Sequence, residues 1–82
     1  MYSVVILGIP NCVKCEVVKL QLFPLRKLGY SIEYRHATPL EIKGMKLTTA
    51  PVVIIYDHDS CMLDYFSDDM SYDNVLRWLE PG

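Results

Sequence analysis

One stretch limits what this chain can become more than any other: Val4-Val5-Ile6-Leu7-Gly8-Ile9-Pro10-Asn11-Cys12-Val13-Lys14-Cys15. Four consecutive apolar residues, most of them β-branched, read as a short strand buried on both faces of a sheet, because a strand with one wet face would alternate. Gly8 and Pro10 end it, and a run of mostly helix-forming residues follows as far as Leu28. A Cys-x-x-Cys pair is thereby set on the first turn of a helix that follows a strand. Positions three apart share a helix face, so two sulfurs there can join with little backbone movement. Asn11 is expected to cap the helix, which places Cys12 beside backbone N–H groups that lack intrahelical acceptors. Those donors and the positive end of the helix dipole favour thiolate over thiol. Cys12 is therefore the expected nucleophile, with a lowered pKa, and Cys15, one turn deeper, its partner.

The length, 82 residues, suits one domain spanning 1–82. An apolar share of 51% beside 22% charged residues is that of a folded globule rather than a disordered segment. No apolar run has membrane length, and Met1-Tyr2-Ser3 lacks the basic flank of a secretory signal, so a cytoplasmic location and no membrane partner are expected. Three cysteines cannot all pair within the chain, and in a reducing compartment a Cys-x-x-Cys near a βαβ pattern reads as catalytic. The alternative is a non-catalytic module, binding a partner or holding zinc, in which His58-x-x-Cys61 completes a four-ligand set with Cys12 and Cys15. A core-forming strand fills the interval between those pairs, which is long for a zinc ribbon, so no metal is expected. On the redox reading Cys61 packs as a small hydrophobe, and His36 and His58 face water or satisfy local bonds.

Charge is uneven along the chain. Residues 1–50 hold seven Lys/Arg against three Glu, whereas residues 51–82 hold Arg77 against seven acids. Two solvated surfaces of opposite sign suffice to explain this. A functional reading gives the thiolate a cationic rim and gives a substrate amine or basic partner an acidic one. No basic stripe carries interleaved aromatics, so no nucleic-acid partner is expected.

The rest of the chain extends the βα beginning. Apolar residues at 13, 17, 18, 20, 22, 23, 25 and 28 predict a broadly buried first helix. Pro24 predicts a break near Leu22 to Pro24, and Gly29 suits the position after its end. Ser31 to Ala37 alternates Ile32, Tyr34 and His36 against Glu33 and Arg35, as an edge strand with a wetter face does. Thr38-Pro39-Leu40-Glu41 is a helix start with Thr as cap and Glu three residues on, and Gly44 keeps that helix short. Val52 to Tyr56 is the strongest strand signal, Asp57 to Ser60 a turn, and Cys61 to Tyr65 an antiparallel return. A last helix from about Ser71 to Glu80 puts Tyr72, Val75, Leu76 and Leu79 on one face, with Ser71 or Ser67 as cap. Trp78, Tyr65 and Phe66 are expected to pack in the core or at an edge. The order is β-α-β-α-β-β-α, an α/β domain with a four-stranded mixed sheet and helices covering both faces.

Three features taken together resemble the thioredoxin-like fold of the glutaredoxin type: Cys12-Val13-Lys14-Cys15 after the first strand, Thr49-Ala50-Pro51 before the third, and the closing strand-turn-strand-helix. Within that group, Cys12-Val13-Lys14-Cys15 with Ala50-Pro51-Val52-Val53 is most similar to the glutaredoxin-like redoxins that donate electrons to ribonucleotide reductase. The resemblance implies a small dithiol-disulfide oxidoreductase without a bound cofactor, in which Cys12 attacks a protein disulfide and Cys15 resolves the mixed disulfide. It implies a cis Ala50-Pro51 bond, with Thr49, Ala50 and Pro51 meeting the substrate and Asp68 and Asp69 facing the amine of glutathione. Lys14 is a further candidate, biasing the Cys12 thiolate. The external reductant is glutathione or a thioredoxin reductase, and a monomer is expected. Where glutaredoxins commonly carry two glycines ahead of the acidic pair, this chain has Tyr65-Phe66, and Val13-Lys14 replaces the usual Pro-Tyr between the cysteines.

Overall fold

The structure is a computed structural model that describes residues 2–44, 50–59, 61–67 and 70–80. Strand β1 (Ser3–Gly8) leads into α1 (Val13–Leu22), a 3₁₀ helix (Phe23–Leu28) and β2 (Ser31–His36). Then come α2 (Pro39–Gly44), β3 (Val52–Tyr56), β4 (Met62–Phe66) and α3 (Tyr72–Leu79). The four strands form one sheet in the order β2-β1-β3-β4, with β1 and β2 parallel and the other two pairs antiparallel. The expected element order and mixed sheet are both present. β2 lies at an edge, as its alternation implied, and Arg26 covers part of that edge by donating to the Ile32 carbonyl at 2.7 and 3.1 Å.

Alternation divides the core into two layers. Val4, Ile6, Ile32, Val53 and Ile55 point to one face, where Val18, Leu22 and Leu25 of α1 and the 3₁₀ helix and Val75 and Leu79 of α3 pack on them. Leu22 and Leu25 are fully buried there, each worth on the order of 1.5–3 kcal/mol. The other face buries Val5, Leu7, Val52 and Ile54 against Ala37 and Tyr56. Coverage on this second side is thinner than expected, because α2 contributes no buried residue. Its attachment is polar: Arg35, in register with Leu7, holds both Glu41 carboxylate oxygens at 2.6 Å.

Local signals decide most boundaries. Pro24 converts the helix to 3₁₀ geometry from Phe23 onward, and Gly29 ends it at φ 96°, where a side chain would be strained. Thr38 and Glu41 form the reciprocal capping box, Glu41 N–H donating to Thr38 Oγ1 at 3.2 Å and Thr38 N–H to Glu41 Oε1 at 2.9 Å. Ser71 caps α3, accepting from the Asn74 N–H at 3.3 Å. Asp57 organises the β3–β4 turn by accepting from the N–H groups of Asp59 and Cys61. Trp78 packs edge-on against Tyr2 and donates to Asp64 at 2.9 Å, which ties α3 to β4.

The first helix departs from expectation. Only Cys15, Val18 and Leu22 of α1 are buried, while Val13, Val17 and Leu20 are 80%, 45% and 68% exposed. The helix is apolar on its solvent side as well as its core side, and one sheet face can bury only one stripe of it.

Candidate active site

β1 leaves the sheet at Gly8 and β3 enters it at Val52, and Leu7 pairs with Val52. The Cys12–Cys15 turn and the Ala50-Pro51 peptide are therefore brought to the same end of the sheet, although they are far apart in sequence. The Ala50-Pro51 bond is cis, and Pro51 is fully buried.

Cys12 and Cys15 are joined in a disulfide, with their Cα atoms 5.2 Å apart. Cys12 is partly exposed and Cys15 is buried, an asymmetry that offers one sulfur to a partner and shields the other. The helix cap is Cys12 itself, not Asn11. Asn11 takes φ 59°, the left-handed region that Asn tolerates better than most residues, and Cys12 is extended. The Cys12 sulfur accepts the backbone N–H of Cys15 at 3.1 Å, so a sulfur does the work of the usual capping oxygen.

Charges around the turn are largely paired. Glu16, in the first turn of α1, is bound to Lys19 at 2.6 Å, which offsets the carboxylate's repulsion of a neighbouring thiolate. The Lys19 ammonium lies 5.0 Å from the centre of the Tyr34 ring. Lys14 is exposed and, among the described residues, makes no ion pair; it lines a groove with Gln21, Ser67 and Ser71.

A second groove, of about 620 Å³, holds Cys12 itself together with Ile9, Pro10, Val13, Glu16, Tyr34 and His36. Tyr34 and His36 belong to β2 and were not anticipated at the site. Their alternation with Glu33 and Arg35 was legible, but that β2 runs parallel beside β1, bringing His36 level with Gly8, is a fact of pairing.

In a search of solved structures, the chain matches the crystal structure of the Trx4 domain of ERdj5 with a TM-score of 0.71. The match covers 96% of this chain and 76% of that one, at 12% sequence identity.

The fold is thioredoxin-like.

No protein-family model and no curated protein matches the sequence. On the thioredoxin-like scaffold, the expected site residues fall into three groups. Cys12, Cys15, Ala50 and Pro51 share one end of the sheet, with Lys14 on the first turn of α1 beside the two cysteines. Thr49, Asp68 and Asp69 lie outside the described residues. His58 and Cys61 sit at the β3–β4 turn, at the opposite end.

That last placement removes the four-ligand zinc alternative. Tyr56 pairs with Ser3 and Val52 with Leu7, so the run of β3 from Val52 to Tyr56, about 13 Å at the usual rise, separates His58 and Cys61 from Cys12 and Cys15. Among the described residues no group of three potential ligands is assembled anywhere. The expectation for Cys61 was wrong: it is an exposed free thiol, because its backbone is spent closing the turn onto Asp57 and its side chain points away from both core layers. His36 and His58 are exposed, as expected. No helix among the described residues is long and apolar enough to cross a membrane.

Proposed function

We propose that this protein is a dithiol-disulfide oxidoreductase acting through Cys12 and Cys15. One observation carries the reading: on a thioredoxin-like fold, a Cys12–Cys15 disulfide opens α1 with Cys12 accessible, Cys15 buried, and the Cys15 N–H aimed at the Cys12 sulfur. In the reduced protein that donor stabilises a Cys12 thiolate, the form that attacks disulfides.

The exchange balances as two displacements. The Cys12 thiolate attacks one sulfur of the substrate disulfide, forming a mixed disulfide and expelling the other substrate sulfur as a thiolate, which takes a proton. Cys15 loses its proton and attacks the Cys12 sulfur, releasing the second substrate thiol and leaving the Cys12–Cys15 disulfide. Two electrons pass to the substrate. An external dithiol, or two monothiols, returns the protein to its reduced form.

The narrower reading is a cytoplasmic, glutaredoxin-like electron donor with ribonucleotide reductase as its target class, recharged by glutathione or by a thioredoxin reductase. It is supported by Cys12-Val13-Lys14-Cys15 and Ala50-Pro51-Val52-Val53. On this reading Thr49, Ala50 and Pro51 meet the substrate chain, and Asp68 and Asp69 meet the amine of the reductant.

The test is turnover of insulin disulfides with dithiothreitol as reductant. Wild type is expected to accelerate reduction, Cys12→Ser to lose it, and Cys15→Ser to accumulate a covalent mixed disulfide visible by mass spectrometry. Full activity in Cys12→Ser would overturn the assignment.

A further inference from the structure

Val13, Val17 and Leu20 are spaced at i, i+4 and i+7 and so share one side of α1, the side away from the buried Cys15, Val18 and Leu22. A helix face turned to water is ordinarily polar, and three consecutive apolar positions on it are unusual in a small domain. None of the three belongs to either core layer of the described residues. The ridge they form is about 10 Å long at the rise of an α-helix, and its head adjoins the nucleophile. Ile9, 41% exposed, continues the apolar surface past Cys12, because Ile9, Pro10 and Val13 line the groove that holds that sulfur.

We infer that this ridge docks the polypeptide of the substrate, and that the docked segment is apolar with acidic residues beside it. The inference rests on the redox reading above and names the kind of protein disulfide that reading leaves open. Continuity is the first argument: a segment that brings its sulfur to Cys12 lays its neighbouring residues on whatever adjoins Cys12, and along α1 that is Val13, Val17 and Leu20. Charge is the second. Residues 13–28 carry Lys14, Lys19, Arg26 and Lys27 against Glu16 alone; Lys19 is paired with Glu16 and Arg26 is held at the Ile32 carbonyl, which leaves Lys14 and Lys27 as the cations without such a partner among the described residues. Lys14 flanks the ridge without an ion pair among the described residues. A second copy of the chain fits poorly, since it would set the same cations against one another.

The experiment uses short peptides, each carrying one cysteine as a mixed disulfide with thionitrobenzoate, and follows release of the coloured thiol. The protein is Cys15→Ser combined with Cys61→Ser, so that Cys12 is the reacting thiol. A peptide with leucines and aspartates beside the cysteine is expected to react about tenfold faster than a Gly/Ser peptide, equivalent to about 1.4 kcal/mol. Val17→Gln and Leu20→Gln keep helix propensity and add no charge near Cys12. Each is expected to remove most of that advantage while leaving the Gly/Ser rate and the circular dichroism unchanged. Lys14→Gln is expected to narrow the preference for aspartate over lysine in the peptide.

Equal rates for all peptides, or a preference that survives Leu20→Gln, would overturn the proposal. So would a concentration-dependent dimer, or binding to phosphatidylglycerol vesicles, that Leu20→Gln abolishes, for then the ridge serves self-association or a lipid surface. The Gly/Ser peptide reports Cys12 chemistry alone. Its failure to react would remove the redox reading itself, and this proposal with it.

Discussion

The backbone N–H of Cys15 donates to the sulfur of Cys12 at 3.1 Å, so α1 begins at the residue proposed to attack. Capping and activation are here the same contact. A thiolate accepts a hydrogen bond more strongly than a thiol or a disulfide sulfur, so reduction followed by ionisation should tighten it.

We predict from this that the Cys12 thiol of the reduced protein titrates below the ordinary cysteine value of about 8.5. The measurement is the pH dependence of iodoacetamide alkylation of Cys12 in a Cys61→Ser background. A midpoint at or above that of a free cysteine would show that the helix terminus does not favour the thiolate.

Gly8 and Tyr34 are matched by close approach: a Cβ on Gly8 would come within 2.5 Å of the Tyr34 hydroxyl and 3.0 Å of its ring. Gly8→Ala should therefore push Tyr34 out of its place beside Cys12 and cost about 1 kcal/mol, the low end of the overpacking penalty, because the outer end of a half-buried side chain is what must yield. Urea denaturation measures it. Tyr34→Ser should reduce that penalty in the double variant, because the colliding ring is gone, and additivity of the two changes would contradict the proposed clash.

Glu41 provides a pH handle. Hydrogen bonds from the Arg35 guanidinium, and then from the Thr38 N–H, hold its pKa down at about 2 from an ordinary value of 4.5. Ionised Glu41 thus favours the folded state, a contribution present in full above pH 4.5 and lost as pH falls toward about 2. Arg35→Met should return the Glu41 value toward 4.5, read from its carboxyl carbon chemical shift. α2, which buries no residue of its own, should then lose amide protection before β1 and β3 do.

Glutathione alone should be a poor reductant. On the narrower reading proposed above, Tyr65 and Phe66 take the place of the two glycines that glutaredoxins commonly carry, and bulky side chains at such a point deny a small peptide close access to the backbone. Recovery of the reduced protein should be slow with glutathione and its reductase and faster with a thioredoxin reductase. A glutathione-supported rate equal to that of an ordinary glutaredoxin would contradict this.

Much of this molecule was legible in the amino-acid order because the decisive interactions are local. The run Val4 to Leu7 stops at Gly8, Pro24 interrupts a helix by lacking an N–H, and Thr38 with Glu41 satisfies the amides of a helix start; each acts within a few residues. Alternation in Ser31 to His36 likewise announced an edge strand, and the pairing of Cys12 with Cys15 follows from their three-residue spacing across the start of a helix. What needed the tertiary structure is whatever depends on which apolar surface finds a partner. Val13, Val17 and Leu20 have the same chemistry as Val18 and Leu22, and only the single sheet face available to α1 decides which of them are covered. Register placed Tyr34 and His36 beside Cys12, and the antiparallel run of β3 carried His58 and Cys61 to the far end. Local signals do not encode such distances, since they arise when strands remote in sequence exchange backbone hydrogen bonds.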